Sequence, residues 1–128
     1  MQRDQVALPN SYDSLLSIGH FFYDQANFPM ACEAYSRALL LDSTSVDLRT
    51  DYGASLHAMG FSSRAMEEFK KVVANDPKHG VALFNIGILF QLQNERDSAR
   101  AYWEQVVASA SGSIVADSAR VLLERLAQ

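Results

Sequence analysis

The stretch "AMGFSSRAMEEFKKVVANDP", residues 58–77, decides the fold. Ala65 and Phe69 lie four residues apart, so they share one face of a helix and set a small side chain beside a large ring. Gly60 predicts the end of a helix before this run. Pro77, in "NDPK" (Asn75 to Lys78), predicts the end of the run itself. The charged residues between them, Arg64, Glu67, Glu68, Lys70 and Lys71, read as a solvated outer face. Arg64 with Glu68, and Glu67 with Lys71, are expected as i, i+4 pairs, each adding about 0.2–0.5 kcal/mol.

These offsets recur. In frames starting at Tyr12, Val46, Gly80 and Ile114 the chain repeats every 34 residues without insertion. Place four holds Leu15, Arg49 and Leu83. Place seven holds Ile18, Tyr52 and Ile86. Place eight holds Gly19, Gly53 and Gly87, and place eleven Phe22, Leu56 and Phe90. Place twenty holds Ala31, Ala65 and Ala99, and place twenty-four Tyr35, Phe69 and Trp103. Place twenty-seven holds Ala38, Val72 and Val106, and place thirty-two Ser43, Pro77 and Ser111.

The first four places form one helix face and places twenty to twenty-seven another, so each unit is a helix hairpin with an apolar seam. A glycine inside a helix costs about 1 kcal/mol against alanine. Its recurrence implies close packing beneath the ring at place twenty-four. Pro29 fits the first turn of a helix. Asn94, three residues before Asp97, is expected to cap the helix that follows it. "LDSTS" (Leu41 to Ser45) ends the first unit.

These columns resemble the tetratricopeptide repeat family. The resemblance covers Tyr12 to about Ser111 as three repeats (12–45, 46–79, 80–113) after a leader at 1–10, followed by a lone helix at 113–128, all within one domain, 11–128. It implies an all-α fold, a right-handed α-solenoid of antiparallel helix hairpins. In the family the last helix covers the exposed face of the last repeat. Here Ile114, Val115, Ala119, Leu122, Leu123 and Leu126 would provide that cover. Three places depart from the family pattern: Arg49 at place four, Arg96 at place seventeen where the first unit has Phe28, and "SASGS" (Ser109 to Ser113) in place of an Asp-Pro ending.

Composition limits the functions open to such a chain. Its 128 residues suit one domain, and 48% hydrophobic content supports a real core. Eleven basic against fifteen acidic residues leave a net charge of −4, which argues against nucleic acid or an anionic membrane as the main partner. A single cysteine, Cys32, permits no intrachain disulfide and reads as a small buried hydrophobe. No apolar run is long enough to span a bilayer, and "MQRDQVALPNS" lacks the apolar centre of a signal peptide. The expected setting is cytoplasmic, or periplasmic or membrane-tethered if the chain is part of a longer protein.

Catalytic and metal chemistry find little footing. His20, His57 and His79 show no ligand spacing with one another or with Cys32. Ser17, His20 and Asp24 lie within two turns of one helix, but triads gather residues from separate elements around an oxyanion site. No glycine-rich phosphate loop is present. The expectation is a protein without enzyme activity, cofactor or metal.

One face of each first helix remains unspent. Places five, nine and twelve, flanked by two, six and thirteen, form a second stripe. In the family this stripe lines a concave groove that holds partner peptides. The candidates are Asp13, Leu16, His20 and Tyr23, with Ser17 and Asp24, in unit one. Unit two offers Asp47, Thr50, Asp51, Ala54 and His57, with Ala58. Unit three offers Val81, Phe84, Asn85, Ile88, Gln91 and Leu92. Part of this stripe is equally suited to packing on a neighbouring repeat. It carries aspartates but no lysine or arginine, which suits an apolar or mildly basic segment.

Chaperone-binding members of the family hold an acidic C-terminal carboxylate with Lys, Asn and Arg. The matching places here hold Leu16, His20, Asp51, Val81 and Asn85, so acidic tails are not expected to bind. The resemblance therefore implies a scaffold or assembly adaptor that binds a protein or peptide. One alternative is a chaperone for a specific client, of the secretion or cytochrome c assembly kind. "AYWEQVV" (Ala101 to Val107) is similar to the last repeat of some such assembly factors. The other is a self-associating module, with "VALPNS" (Val6 to Ser11) in its own or a neighbour's groove.

Overall fold

The computed structural model describes residues 7–128, and they form seven α-helices in sequence. These are α1 (Tyr12–Asp24), α2 (Phe28–Leu41), α3 (Val46–Ala58), α4 (Ser62–Asn75), α5 (Gly80–Leu92), α6 (Arg96–Ser109) and α7 (Ile114–Leu126). Helices pair as hairpins α1–α2, α3–α4 and α5–α6. Each hairpin then packs on the next through α2–α3 and α4–α5, and α7 closes against α6 and α5. The result is a helical solenoid with a terminal cap. None of the described helices is long and apolar enough to cross a membrane.

Helix ends follow the repeat. Place fifteen holds Ala26, Gly60 and Asn94, and all three have positive φ (58°, 88° and 62°). The next residue's N–H returns to the helix: Asn27 to Phe22 O, Phe61 to Leu56 O, Glu95 to Phe90 O. This left-handed closure satisfies carbonyls that the helix leaves open. Asn94 is thus a helix terminator rather than the expected cap. Helix α6 starts at Arg96 behind Glu95, which makes no side-chain cap bond. The tight turn demands positive φ at that place, and asparagine tolerates it better than most residues.

A second column lies at the residue just before each frame begins. Ser11, Ser45, His79 and Ser113 each accept a hydrogen bond from the backbone N–H three residues on. His79 uses its Nδ1 as the three serines use their hydroxyls.

The seam is built as the columns imply. A Cβ on Gly19 would lie 2.4 Å from Tyr35 Cε1, on Gly53 2.6 Å from Phe69 Cε1, and on Gly87 2.3 Å from Trp103 Nε1. Each ring therefore rests on the bare backbone of the opposing helix. Trp103 also donates from Nε1 to Phe84 O, 3.1 Å away, across the space that Gly87 leaves open. Ala31, Ala65 and Ala99 are fully buried beside the rings.

Three expectations for the surface are corrected. Glu68 is buried, not solvated, and accepts from Arg49 Nη1 at 2.6 Å, with Lys71 at 3.5 Å. Arg64 turns instead to the Tyr52 hydroxyl at 2.9 Å. Neither expected i, i+4 pair forms, because Arg49 at place four projects across the hairpin and draws the carboxylate inward. Ile114 is 86% exposed, and Ala116 fills the buried position on α7 beside Ala119 and Leu126. Arg96 is bonded to the Leu126 carbonyl, so it closes the end of α7 where the family has a ring.

Candidate peptide-binding face

The inner helices α1, α3 and α5 carry every residue of the second stripe. The structure spreads these residues over three conditions. Some are used wholly or in part by packing. Thr50 is buried, and its hydroxyl donates to Val46 O within its own helix, so it supports the fold and offers nothing to a partner. Leu16 is half-buried against the first core cluster, and Phe84 and Ile88 against the second.

Others are tied into polar contacts between elements. His20 is exposed, and its Nδ1 lies 2.7 Å from the Tyr35 hydroxyl. Burial, reinforced by Asp51, pushes the Tyr35 phenol well above its ordinary range. The hydroxyl therefore keeps its proton, and one hydrogen bond joins it to the imidazole. His79 accepts from Ala82 N through Nδ1, so its Nε2–H donates to Asp47 Oδ1 at 2.8 Å. That bond spans from the start of α3 to the start of α5 and joins consecutive repeats.

The rest face solvent in part or whole. Asp13, Tyr23, Val81 and Leu92 are exposed, as are the flanking Ser17, Asp24 and Ala58. Asp51, Ala54, His57, Asn85 and Gln91 are half-buried. Tyr23 meets Phe28 edge to face, with ring centroids 5.4 Å apart. His57 Nδ1 is buried and takes no hydrogen bond among the described residues. Burial pushes the Asp51 carboxyl above its ordinary value, His20 pulls it down, Asp47 pushes it up and His79 pulls it down. Helices α1, α3 and the start of α5 thus bring one group of titratable side chains to the inner face.

The face has two halves. The α1–α3 half holds Tyr23, His20, Asp47 and Asp51. The α5 half holds Val81, Phe84, Ile88 and Leu92 and no charged residue. Leu8, from the leader, is buried in the core cluster that contains Leu15, and Pro9 lies near Leu40 and Leu41. The described part of the leader therefore joins the end of the first hairpin, and Val6 lies outside the described residues.

No side-chain hydrogen bond joins Ser17, His20 and Asp24 among the described residues, and the Nδ1 of His20 is engaged with Tyr35 instead. Among the described residues no group of three or more His, Cys, Asp or Glu could hold a metal ion. Cys32 is half-buried, with Sγ 3.6 Å from Met59 Sδ, and burial raises its thiol above the ordinary value despite the opposing charge of Arg64. The sequence reading missed the His79 bridge. Its signal was present, because His79 stands in the column otherwise filled by Ser11, Ser45 and Ser113.

Residues 81–113 match the tetratricopeptide repeat family model. A search of curated protein sequences returns no match. Solved structures match over nearly the whole chain. PcrH from Pseudomonas aeruginosa has a TM-score of 0.85 at 16% identity, covering 97% of both chains. The Yersinia enterocolitica type III secretion chaperone SycD, in complex with a peptide of the translocator YopD, has a TM-score of 0.82 at 16% identity, covering 90% of this chain and 91% of that one. The first repeat domain of Spaghetti (RPAP3), bound to the HSP90 peptide SRMEEVD, has a TM-score of 0.81 at 15% identity, covering 97% of both. The fold is the tetratricopeptide-repeat solenoid.

Proposed function

We propose that this tetratricopeptide-repeat solenoid is a peptide-binding adaptor that holds an apolar or mildly basic segment of a partner protein on its inner face. One observation carries the reading. Helix α5 has no charged residue and only Asn85 and Gln91 with polar side chains, and Val81 and Leu92 remain 47% and 64% exposed after its hairpin, its neighbours and the cap have packed. Apolar side chains left open at the edges of a preformed concave face are how helical repeats take up partner segments. The peptide complexes of SycD and of the Spaghetti domain support the same use of this fold. The similarity to secretion chaperones favours, as a second reading, one dedicated client. No step in this function calls for turnover or a cofactor, and a cytoplasmic setting fits it.

The test is capture by the full chain compared with Phe84→Asp/Ile88→Asp, with Val81→Asp/Leu92→Asp as a pair at exposed sites that leaves the fold intact. Both pairs should lose partners that the unaltered chain retains, while far-UV circular dichroism stays unchanged for the exposed pair. Identical partner sets would move the binding surface elsewhere. The peptide SRMEEVD offers a sharper check. With Asp51 where acid-binding members place an asparagine, titration calorimetry should detect no binding to it. Low-micromolar affinity would overturn the charge argument.

A further inference from the structure

The inner helices are segregated by charge to a degree that a neutral partner does not explain. Helices α1, α3 and α5 carry four aspartates and a single lysine or arginine, Arg49. Arg49 turns away to Glu68 on α4. All four aspartates lie on α1 and α3. Asp47 is engaged by His79. Asp51, one turn further along α3, is different. It is half-buried, and its carboxylate takes no hydrogen bond among the described residues, while its backbone carbonyl accepts from the Ser55 hydroxyl. Its carboxylate forms no ion pair among the described residues, the basic groups that act on it are the histidines His20 and His79, and every lysine and arginine but Arg49 in the described chain lies on the outer helices, on α7 or in a loop.

A partly desolvated carboxylate without a counter-ion is unfavourable unless a partner supplies one. The surroundings suit a cation in shape as well as charge. Tyr23 is 37% exposed, and its phenol is raised first by burial and then by the negative charge of Asp51. A phenol ring beside a carboxylate offers a cation both a face and a counter-charge. Asp24 and Asp47 add to the negative field there. Along the solenoid the next unit is the uncharged α5.

We infer that, within the inner-face reading on which this rests, the partner segment carries a lysine or arginine that docks on Asp51 beside Tyr23, with bulky apolar side chains continuing onto Phe84 and Ile88. The cation sets register and selectivity, and the apolar residues supply most of the affinity. An acidic segment is excluded from the first half, and a wholly apolar one leaves the Asp51 carboxylate unpaired.

The test uses a random twelve-residue peptide library displayed on phage, selected separately on the full chain, on Asp51→Asn and on Ile88→Asp, with Leu92→Asp as the exposed companion to Ile88→Asp. Selection on the unaltered chain should enrich a basic residue beside a pair of large apolar ones. Selection on Asp51→Asn should keep the apolar pair and lose the basic residue. For one selected peptide, Lys→Gln should weaken binding about tenfold to the unaltered chain and less than twofold to Asp51→Asn, the scale of one partly desolvated ion pair. Basic enrichment that survives Asp51→Asn overturns this inference and leaves the inner-face reading standing. An absence of binders, or the same peptides selected on Ile88→Asp and Leu92→Asp as on the unaltered chain, overturns both.

Discussion

The second and third hairpins share one register and fill it with different chemistry. Helix α5 buries Leu83, Ile86 and Leu89. Helix α3 has Arg49 where α5 has Leu83, and it buries Thr50 and Ser55, whose hydroxyls return to the Val46 and Asp51 carbonyls of their own helix. Opposite Arg49, α4 buries Glu68. The repeat therefore prescribes space at each place, not polarity. A polar filler is tolerated wherever its partner lies within bonding reach.

The largest effect should come from breaking the polar filler of the second hairpin on one side only. Glu68→Ala leaves the Arg49 guanidinium largely buried without its carboxylate and should cost about 3 kcal/mol in urea denaturation. The double change Arg49→Leu/Glu68→Leu gives place four the leucine that the third hairpin has there, sets an apolar side chain opposite it where that hairpin has Tyr102, and should recover most of that loss. A double variant as unstable as the single one would mean that the ion pair is not what holds α3 to α4.

Next come the glycines beneath the rings. Gly87→Ala drives a methyl into an indole that cannot swing aside without giving up its bond to Phe84 O. The Phe69 ring over Gly53 has no such tether. Overpacking of about 1–3 kcal/mol, less about 1 kcal/mol regained in helix propensity, should make Gly87→Ala the costlier of the two, by roughly 1 kcal/mol. Thermal melts of both variants check this, with Trp103 fluorescence reporting the indole's environment. Equal losses would show that the hydrogen bond does not fix the ring.

What the sequence made legible follows the same division. The columns of glycine, alanine and ring were readable because each repeats with one chemistry, and the structure sets each ring on its glycine. The helix terminators were half legible. Gly60 announced positive φ, but Ala26 and Asn94 in the same column did not, since neither residue type demands it. Charged residues were the least legible. Spacing along α4 pairs Arg64 with Glu68, yet only the crossing of α3 over α4 reveals that Arg49 is nearer. Ile114 was misjudged for a related reason. It lies in the first turn of α7, where helical phase alone does not tell whether the preceding hairpin extends far enough to cover it. On the inner face, the stripe was found by spacing, while the burial of Thr50 and the bond between Asp47 and His79 depend on how one repeat leans on the next.

The smallest effect concerns the polar half of the inner face, and it couples stability to selectivity. The Asp51 carboxyl is raised by burial above its ordinary value of 3.8, with Asp47 adding to the rise and His20 and His79 opposing it. The folded chain therefore binds this proton more tightly than the unfolded chain does. Stability contributed by the protonated acid is complete below the unfolded value and is lost as pH rises through the folded one. At neutral pH the ionised carboxylate is a net burden that α5, with no charge, does not bear. Asp51→Asn removes the burden and should raise Tm by about 1–2 °C at pH 7, with no gain at pH 3, where both side chains are neutral. Melts of the two proteins at both values test this. A gain that is the same at pH 3 would arise from packing rather than charge, and Asp51 would then lack the desolvation that makes it a seat for a cation.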